Sequence, residues 1–285
     1  MQRDNCLSDG KHGDIDEEGH GTDVLYQLSR VCPDAWLYSY RVAQRDNSQL
    51  KADKEAVLKA LDKAIDDEID IINMSFGWTY DDLEVEAALQ KAQKHGILLF
   101  ASVSNFGALA DRNILFPASH SDVIAIDAAD GLGHPDSNNS STHEGDIRAR
   151  FTAPGVMVKG VTKSRVNGTS FASPIAAGIA ALILDFAQET PLASDSAMKY
   201  LKKKTGMEII LKEIQVRKSG AFMFLTPWKL FRDIRVDEET AKVNGGTGGD
   251  GGPQSQRYDV AKRIMYKLCE RYHGDRTIGY QFGLQ

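Results

Sequence analysis

The chain has 285 residues, 42% of them hydrophobic and 26% charged, enough for one large buried core with or without an appendage. Its 34 Lys and Arg against 40 Asp and Glu leave a net charge of -6 with no basic cluster, so no nucleic-acid partner is expected. The 3 cysteines, Cys6, Cys32 and Cys269, are far apart and odd in number, which argues against a disulfide framework and for a reducing compartment.

The first nine residues are polar and hold no apolar signal segment, and no run reads as long enough to span a membrane. The expectation is a cytoplasmic protein without a membrane partner. Asp9, Asp14, Asp16, Glu17 and Glu18 crowd ahead of the first apolar run and read as an acidic loop. Their spacing matches no twelve-residue calcium pattern, so neither a metal nor a cofactor is expected. Then comes Gly19-His20-Gly21-Thr22-Asp23-Val24, leading into Leu25, Leu28 and Val31 at helical spacing. His20 thus sits at a helix start with glycine on both sides, accessible to a reacting partner.

Residues 35–42 read as a strand and residues 52–65 as an amphipathic helix. Residues 69–74 form a short apolar run suited to a buried parallel strand, closed by Ser75-Phe76-Gly77-Trp78. A helix over 83–92 ends at Gly96, and a strand over 97–103 runs into Ser104-Asn105-Phe106-Gly107. Further strands are expected over 123–128 and 157–161, separated by a polar loop over 137–146. The alternation predicts an α/β fold, a mostly parallel sheet flanked by helices, with its chemistry at the carboxyl ends of the strands.

Gly168-Thr169-Ser170-Phe171-Ala172-Ser173-Pro174 precedes the apolar, small-residue run 175–184, which reads as a buried helix. Pro174 suits the first turn of that helix. Ser170 would sit just before its N-terminus, where backbone N–H groups and the positive dipole end favour a developing oxyanion. A serine N-cap on an ordinary packed helix accounts for this heptad equally well. What favours a nucleophile is that His20, Ser75 to Gly77, Asn105 and Ser170 all fall at strand ends or helix starts.

Beyond residue 190 the character changes. Lys199, Lys202, Lys203 and Lys204 lie on an expected helix and read as a solvated face, while residues 222–231 could return to the main sheet as a strand. Residues 245–252, Gly-Gly-Thr-Gly-Gly-Asp-Gly-Gly, are a linker by composition and lack the Lys-Ser/Thr of a phosphate loop. The expected organisation is a main domain over 1–190, an α/β extension over 191–244, a glycine-rich linker over 245–256 and a helical tail over 257–285.

Taken together, the His20, Ser75, Asn105 and Ser170 motifs, with Phe151-Thr152-Ala153-Pro154-Gly155, resemble the subtilisin-like serine peptidases, in that family's order over residues 15–190. The resemblance implies a subtilisin-like fold and a serine endopeptidase acting on polypeptides. Ser170 would be the nucleophile, His20 the general base, and Asn105 an oxyanion donor. Ser75, Phe76, Gly77 and Ser104 would line the substrate groove, with Gly77 leaving room for a side-chain pocket. Ile175 and Ser104 depart from the family's usual histidine and glycine. More seriously, no apolar strand ending in Asp-Ser/Thr-Gly precedes His20, and Asp9-Gly10 is a poor imitation. No triad aspartate is assigned, and the expectation is a chain cut short at its start or a domain without that member, with impaired turnover. The alternatives are a non-catalytic peptide-binding relic of the same fold and, less favoured, a nucleotide-binding domain.

Overall fold

The structure is a computed structural model. It describes residues 1–9, 15–46, 49–105, 107, 114–140, 149–189, 193–219, 221–231 and 253–271. Residues 245–252 of the expected linker and residues 272–285 of the tail lie outside these, as do Asp14, Phe106 and residues 141–148 of the polar loop, while residues 253–256, expected as linker, open a helix.

In chain order the strands are β1 (Gln2–Asn5), β2 (Tyr38–Arg41), β3 (Ala43–Asp46), β4 (Gln49–Ala52), β5 (Ile71–Met74), β6 (Leu98–Ser102), β7 (Val123–Ala129), β8 (Arg150–Pro154), β9 (Val158–Lys159), β10 (Arg165–Val166), β11 (Gln215–Ser219) and β12 (Phe222–Leu225). The helices are α1 (His20–Val31), α2 (Lys54–Asp66), α3 (Leu83–Lys94), α4 (Thr169–Ala187), α5 (Asp195–Leu201), α6 (Lys204–Glu213), α7 (Trp228–Phe231) and α8 (Pro253–Arg271). Two compact units divide them. One comprises Met1–Ala181 and Val216–Leu225, the other Leu182–Gln215 and Thr226–Gln285.

The first unit is built on a six-stranded sheet in the order β11-β12-β8-β7-β6-β5. From β12 to β5 every neighbouring pair is parallel. All residues of β6 and β7 are buried, which is why their sequences are near-continuous apolar runs without a polar face. Val85, Leu89 and Ala92 of α3 and Val57 and Leu61 of α2 complete the core on β6 and β7. Asp53 and Asp82 cap α2 and α3 by accepting backbone N–H bonds. β5 ends the sheet, and β1 and β2 form a parallel pair of their own.

The polar residues 2–5 thus form a strand. Gln-Arg-Asp-Asn carries no apolar alternation, yet its backbone pairs with β2, and Asp4 meets Lys63 at 3.4 Å. A correction concerns α4. It is 19 residues long and apolar enough to cross a membrane, contrary to the reading of the sequence, but 72% of its most apolar window is buried inside the molecule. Its length serves the core.

In the second unit, Leu201, Met207, Ile210, Ile264 and Leu268 are buried. Arg257 bridges Asp185 at 2.7 Å and Glu189 at 3.0 Å while covering the Phe186 ring. The lysine-rich stretch is broken into α5 and α6 rather than one helix.

Between β7 and β8 lies an ion pair with both side chains at 0% exposure. The Arg150 guanidinium donates to the two Asp127 oxygens at 2.7 and 2.8 Å, and it sits over the Phe222 ring of β12. Its bidentate geometry offsets the desolvation of two charges, and removing one partner strands the other. Asp127→Ala should lower the unfolding free energy by about 3–5 kcal/mol in urea denaturation, whereas a loss below about 1 kcal/mol would mean the pair behaves as a surface bridge.

Candidate active site

Three consecutive residues at the start of α4 are each held by a different element of the first unit. The backbone N–H and hydroxyl of Thr169 donate to Asn105 Oδ1 at 2.8 and 3.1 Å. The Ser170 carbonyl accepts from Ser75 Oγ at 2.7 Å, and Ser170 Oγ donates to the Ser75 carbonyl at 3.4 Å. The Phe171 ring lies against the His20 ring with centroids 5.5 Å apart. The residues singled out as base, nucleophile and oxyanion donor thus converge on one turn of helix.

The local sequence explains this turn. Gly168 has φ of 128°, a conformation that L side chains rarely adopt, and a Cβ there would lie 3.0 Å from Asn105 Nδ2 and Oδ1. Glycine therefore lets Asn105 close on the turn. Because Asn105 Oδ1 is engaged by Thr169, its Nδ2 is left to donate elsewhere. Ser170 is the second residue of α4 rather than its flank, and Pro174 is the sixth, one turn later than its residue type suggested. Proline has no N–H, so the carbonyl four residues back, that of Ser170, is freed from the helix ladder. Ser75 Oγ takes that acceptor. Ser75 Oγ in turn accepts from Asn73 Nδ2 at 3.0 Å, and Asn73 Oδ1 accepts from Ser173 Oγ at 2.7 Å. Asn73 and Ser173, to which no role was assigned from their motifs, close this network between β5 and α4.

His20 opens α1 and is half-buried, not open to solvent as its flanking glycines suggested. Burial pushes its pKa below the ordinary 6.5, against an opposing pull from the carboxylates of Asp16 and then Asp23, with Lys163 adding to the depression. Among the described residues, no side chain forms a hydrogen bond with the imidazole. Asp16 is committed to the turn before α1, accepting from Gly19 N at 2.9 Å, Thr22 N at 2.7 Å and Thr22 Oγ1 at 2.8 Å. Asp9 is paired with Arg41 and accepts from Asn5 at 2.8 Å.

Next to the residues expected to line a groove, Trp78 N donates to the Phe116 carbonyl at 2.7 Å, and Phe116 N donates back at 3.0 Å. The Phe76, Tyr80 and Phe116 rings gather round Trp78 at 5.3–6.3 Å. A Cβ at Gly77 would lie 2.7 Å from Leu115 Cβ, so the room expected there is taken by Leu115. Ser104 is buried just past the end of β6.

Since the folded His20 binds its proton more weakly than the unfolded chain, its contribution to stability is complete above about 6.5 and is lost as pH falls through the folded value. The His20 Cε1 proton should titrate below 6.5 by NMR, and a midpoint above 6.5 would show that the carboxylates outweigh burial. Gly168→Ala should cost about 1–3 kcal/mol in thermal unfolding, through strain at positive φ and the push against Asn105.

The model of the Subtilase family matches residues 6–230. Subtilisin DY of Bacillus licheniformis is 32% identical over 189 residues, covering 61% of this chain and 66% of its own. A thermostable alkaline protease of Halalkalibacterium halodurans is 35% identical over 181 residues, covering 59% of this chain and 47% of its own. The chain thus spans less than two-thirds of either relative. The crystal structure of the nisin leader peptidase NisP of Lactococcus lactis shares the fold, with a TM-score of 0.61 at 20% identity over 78% of each chain. The α/β sheet, the converging motifs and the family match over most of the chain lead to one conclusion: this chain belongs to the subtilase family.

Proposed function

We propose that this chain is a serine endopeptidase that hydrolyses peptide bonds through an acyl-serine. The observation that carries the reading is the convergence of His20, Asn105 and Ser75 on residues 169–171. Ser170 Oγ attacks the scissile carbonyl, and His20, neutral at pH 7 because burial holds its pKa down, takes the proton and later gives it to the leaving amine. Asn105 Nδ2 and the backbone N–H groups at the start of α4 receive the developing oxyanion, helped by the helix dipole. A polypeptide substrate lies extended along residues 75–77 as an added strand, and the aromatic cluster around Trp78 takes an apolar side chain.

His20 lacks a hydrogen-bonded carboxylate among the described residues, so its tautomer is not fixed by one. Turnover should therefore fall about 10⁴-fold short of a fully partnered serine triad, with oxyanion stabilisation and binding still supporting slow hydrolysis.

The test is a fluorogenic peptide together with a serine-directed phosphonate. Ser170→Ala should abolish both hydrolysis and labelling while leaving the circular dichroism spectrum unchanged. Full hydrolysis by pure Ser170→Ala protein would move the nucleophile elsewhere. Asn105→Ala should reduce turnover by about 10²–10³, the scale of an oxyanion donor in subtilisin itself, with little change in KM. Binding of peptides by the wild-type chain without labelling at Ser170 would favour a peptide-binding relic.

A further inference from the structure

The buried face of α1 is polar. Asp23 and Gln27, one turn apart, are 2% and 1% exposed, whereas Leu25, Leu28 and Val31 are only half-buried. Both polar side chains reach the hairpin of β9 and β10. Asp23 Oδ1 accepts from Val161 N at 2.5 Å and from Thr162 N at 3.0 Å, and its Oδ2 accepts from Thr162 Oγ1. Gln27 Nε2 donates to the Lys159 carbonyl at 2.7 Å. Gly19, with φ of 71°, makes room on the other side, since a Cβ there would lie 2.5–2.8 Å from the Thr162 side chain.

The hairpin leads directly to the Ser170 turn. β10 ends at Val166, Asn167 Oδ1 accepts from Met157 N at 2.6 Å, and Gly168 N donates to the Gly155 carbonyl at 2.8 Å. Asp23 therefore stands three residues after the base on one element and grips the segment that precedes the nucleophile on another. A carboxylate so buried must be fully hydrogen-bonded, and these three donors hold Asp23 ionised, its pKa below the usual carboxylate range although burial alone would raise it.

We infer that Asp23 is a positioning residue of the His20–Ser170 centre, its carboxylate locking the loop between β9 and β10 onto α1 and so fixing the approach of His20 to Ser170. The inference rests on the peptidase reading. A misplacement of about 1 Å at such a centre costs on the order of 10²-fold in rate, so the clamp acts on turnover rather than on peptide binding. The charges facing His20 are Asp16 from the preceding turn, Asp23 from α1 and Lys163 from the hairpin loop. Asp23 thus also favours the imidazolium that forms when Ser170 gives up its proton.

Three variants separate these effects. In Asp23→Asn, the amide oxygen can accept both backbone N–H bonds and the amide nitrogen can donate to Thr162 Oγ1, so the clamp persists without its charge. Asp23→Ala removes the clamp, and Thr162→Val removes one of its three bonds. With active enzyme counted by phosphonate titration, Asp23→Ala should lose about 10²-fold in kcat with KM little changed, and Thr162→Val should lose less. Asp23→Asn should recover most of the rate, with the rising limb of its pH profile moved to lower pH because the imidazolium has lost a stabilising charge. If Asp23→Ala only unfolds more easily, with kcat per active molecule and pH profile unchanged, the residue is merely structural and the inference is overturned. If the wild-type chain neither hydrolyses peptide nor takes phosphonate at Ser170, the peptidase reading fails separately. NMR then decides the clamp: Asp23→Ala should shift the Ser170 amide and His20 Cε1 signals while Asp23→Asn leaves the Ser170 amide in place, and unshifted signals in Asp23→Ala would overturn it.

Discussion

A proline in the second turn of α4 leaves the carbonyl of Ser170 without its helical partner, and the rest of the site is built on how that acceptor is satisfied. A buried carbonyl without a donor costs free energy comparable to a lost hydrogen bond. Ser75 Oγ, at the end of β5, supplies the donor at 2.7 Å. The same hydroxyl accepts from Asn73, and Asn73 accepts from Ser173, so the bond belongs to a relay that starts and ends on α4. Without Pro174 the helix would satisfy its own carbonyl, and the end of β5 would have one less hold on the turn carrying Ser170. The anchoring of Ser170 to the end of β5 is thus a consequence of a missing N–H.

From this anchor the other two contacts follow by close approach. Gly168 adopts positive φ and offers no Cβ, so Asn105 can close on the turn and spend its carbonyl oxygen on Thr169, which leaves its amide hydrogens for the oxyanion role proposed for it. On the far side, Phe171 meets the His20 ring. Strand ends of a parallel sheet bring such loops to one edge whatever the chemistry. What distinguishes this edge is that the loops carrying Ser75 and Asn105 spend polar groups on holding residues 169 and 170, while His20 meets Phe171 through its ring.

The strands of the sheet were legible because a parallel strand covered on both faces must be apolar throughout, as β6 and β7 are. The motifs were legible because glycine beside His20, Asn105 and Ser170 marks turns. β1 was not, since a strand of Gln-Arg-Asp-Asn is held by backbone pairing and an ion pair that leave no periodic trace. Nor was the polar underside of α1. Helical spacing was sought among leucines, while the residues that bury themselves, Asp23 and Gln27, carry the same spacing in polar form. The space expected beside Gly77 failed for a related reason, because glycine can mark close packing as well as a pocket, and here Leu115 fills it.

Electrostatics and geometry are divided among different residues in this site. Burial lowers the His20 pKa and so favours the neutral imidazole that the proposed base role requires, but the same burial opposes the imidazolium that role would form. Two carboxylates soften that opposition through space. Asp16 is exposed and gives its oxygens to the turn before α1, so solvent screens much of its effect. Asp23 is buried, where screening is weak, but all its described hydrogen bonds run to the β9–β10 loop and none to the ring. In a serine triad one carboxylate both orients the imidazole and stabilises its charge. Here, among the described residues, the ring is oriented by helix position and by the Phe171 contact, while the carboxylates acting on its charge, Asp16 and Asp23, give their hydrogen bonds elsewhere. On the proposed peptidase reading, orientation by packing alone leaves both ring tautomers accessible, so the base proposed at His20 is less defined than one held by a hydrogen-bonded carboxylate.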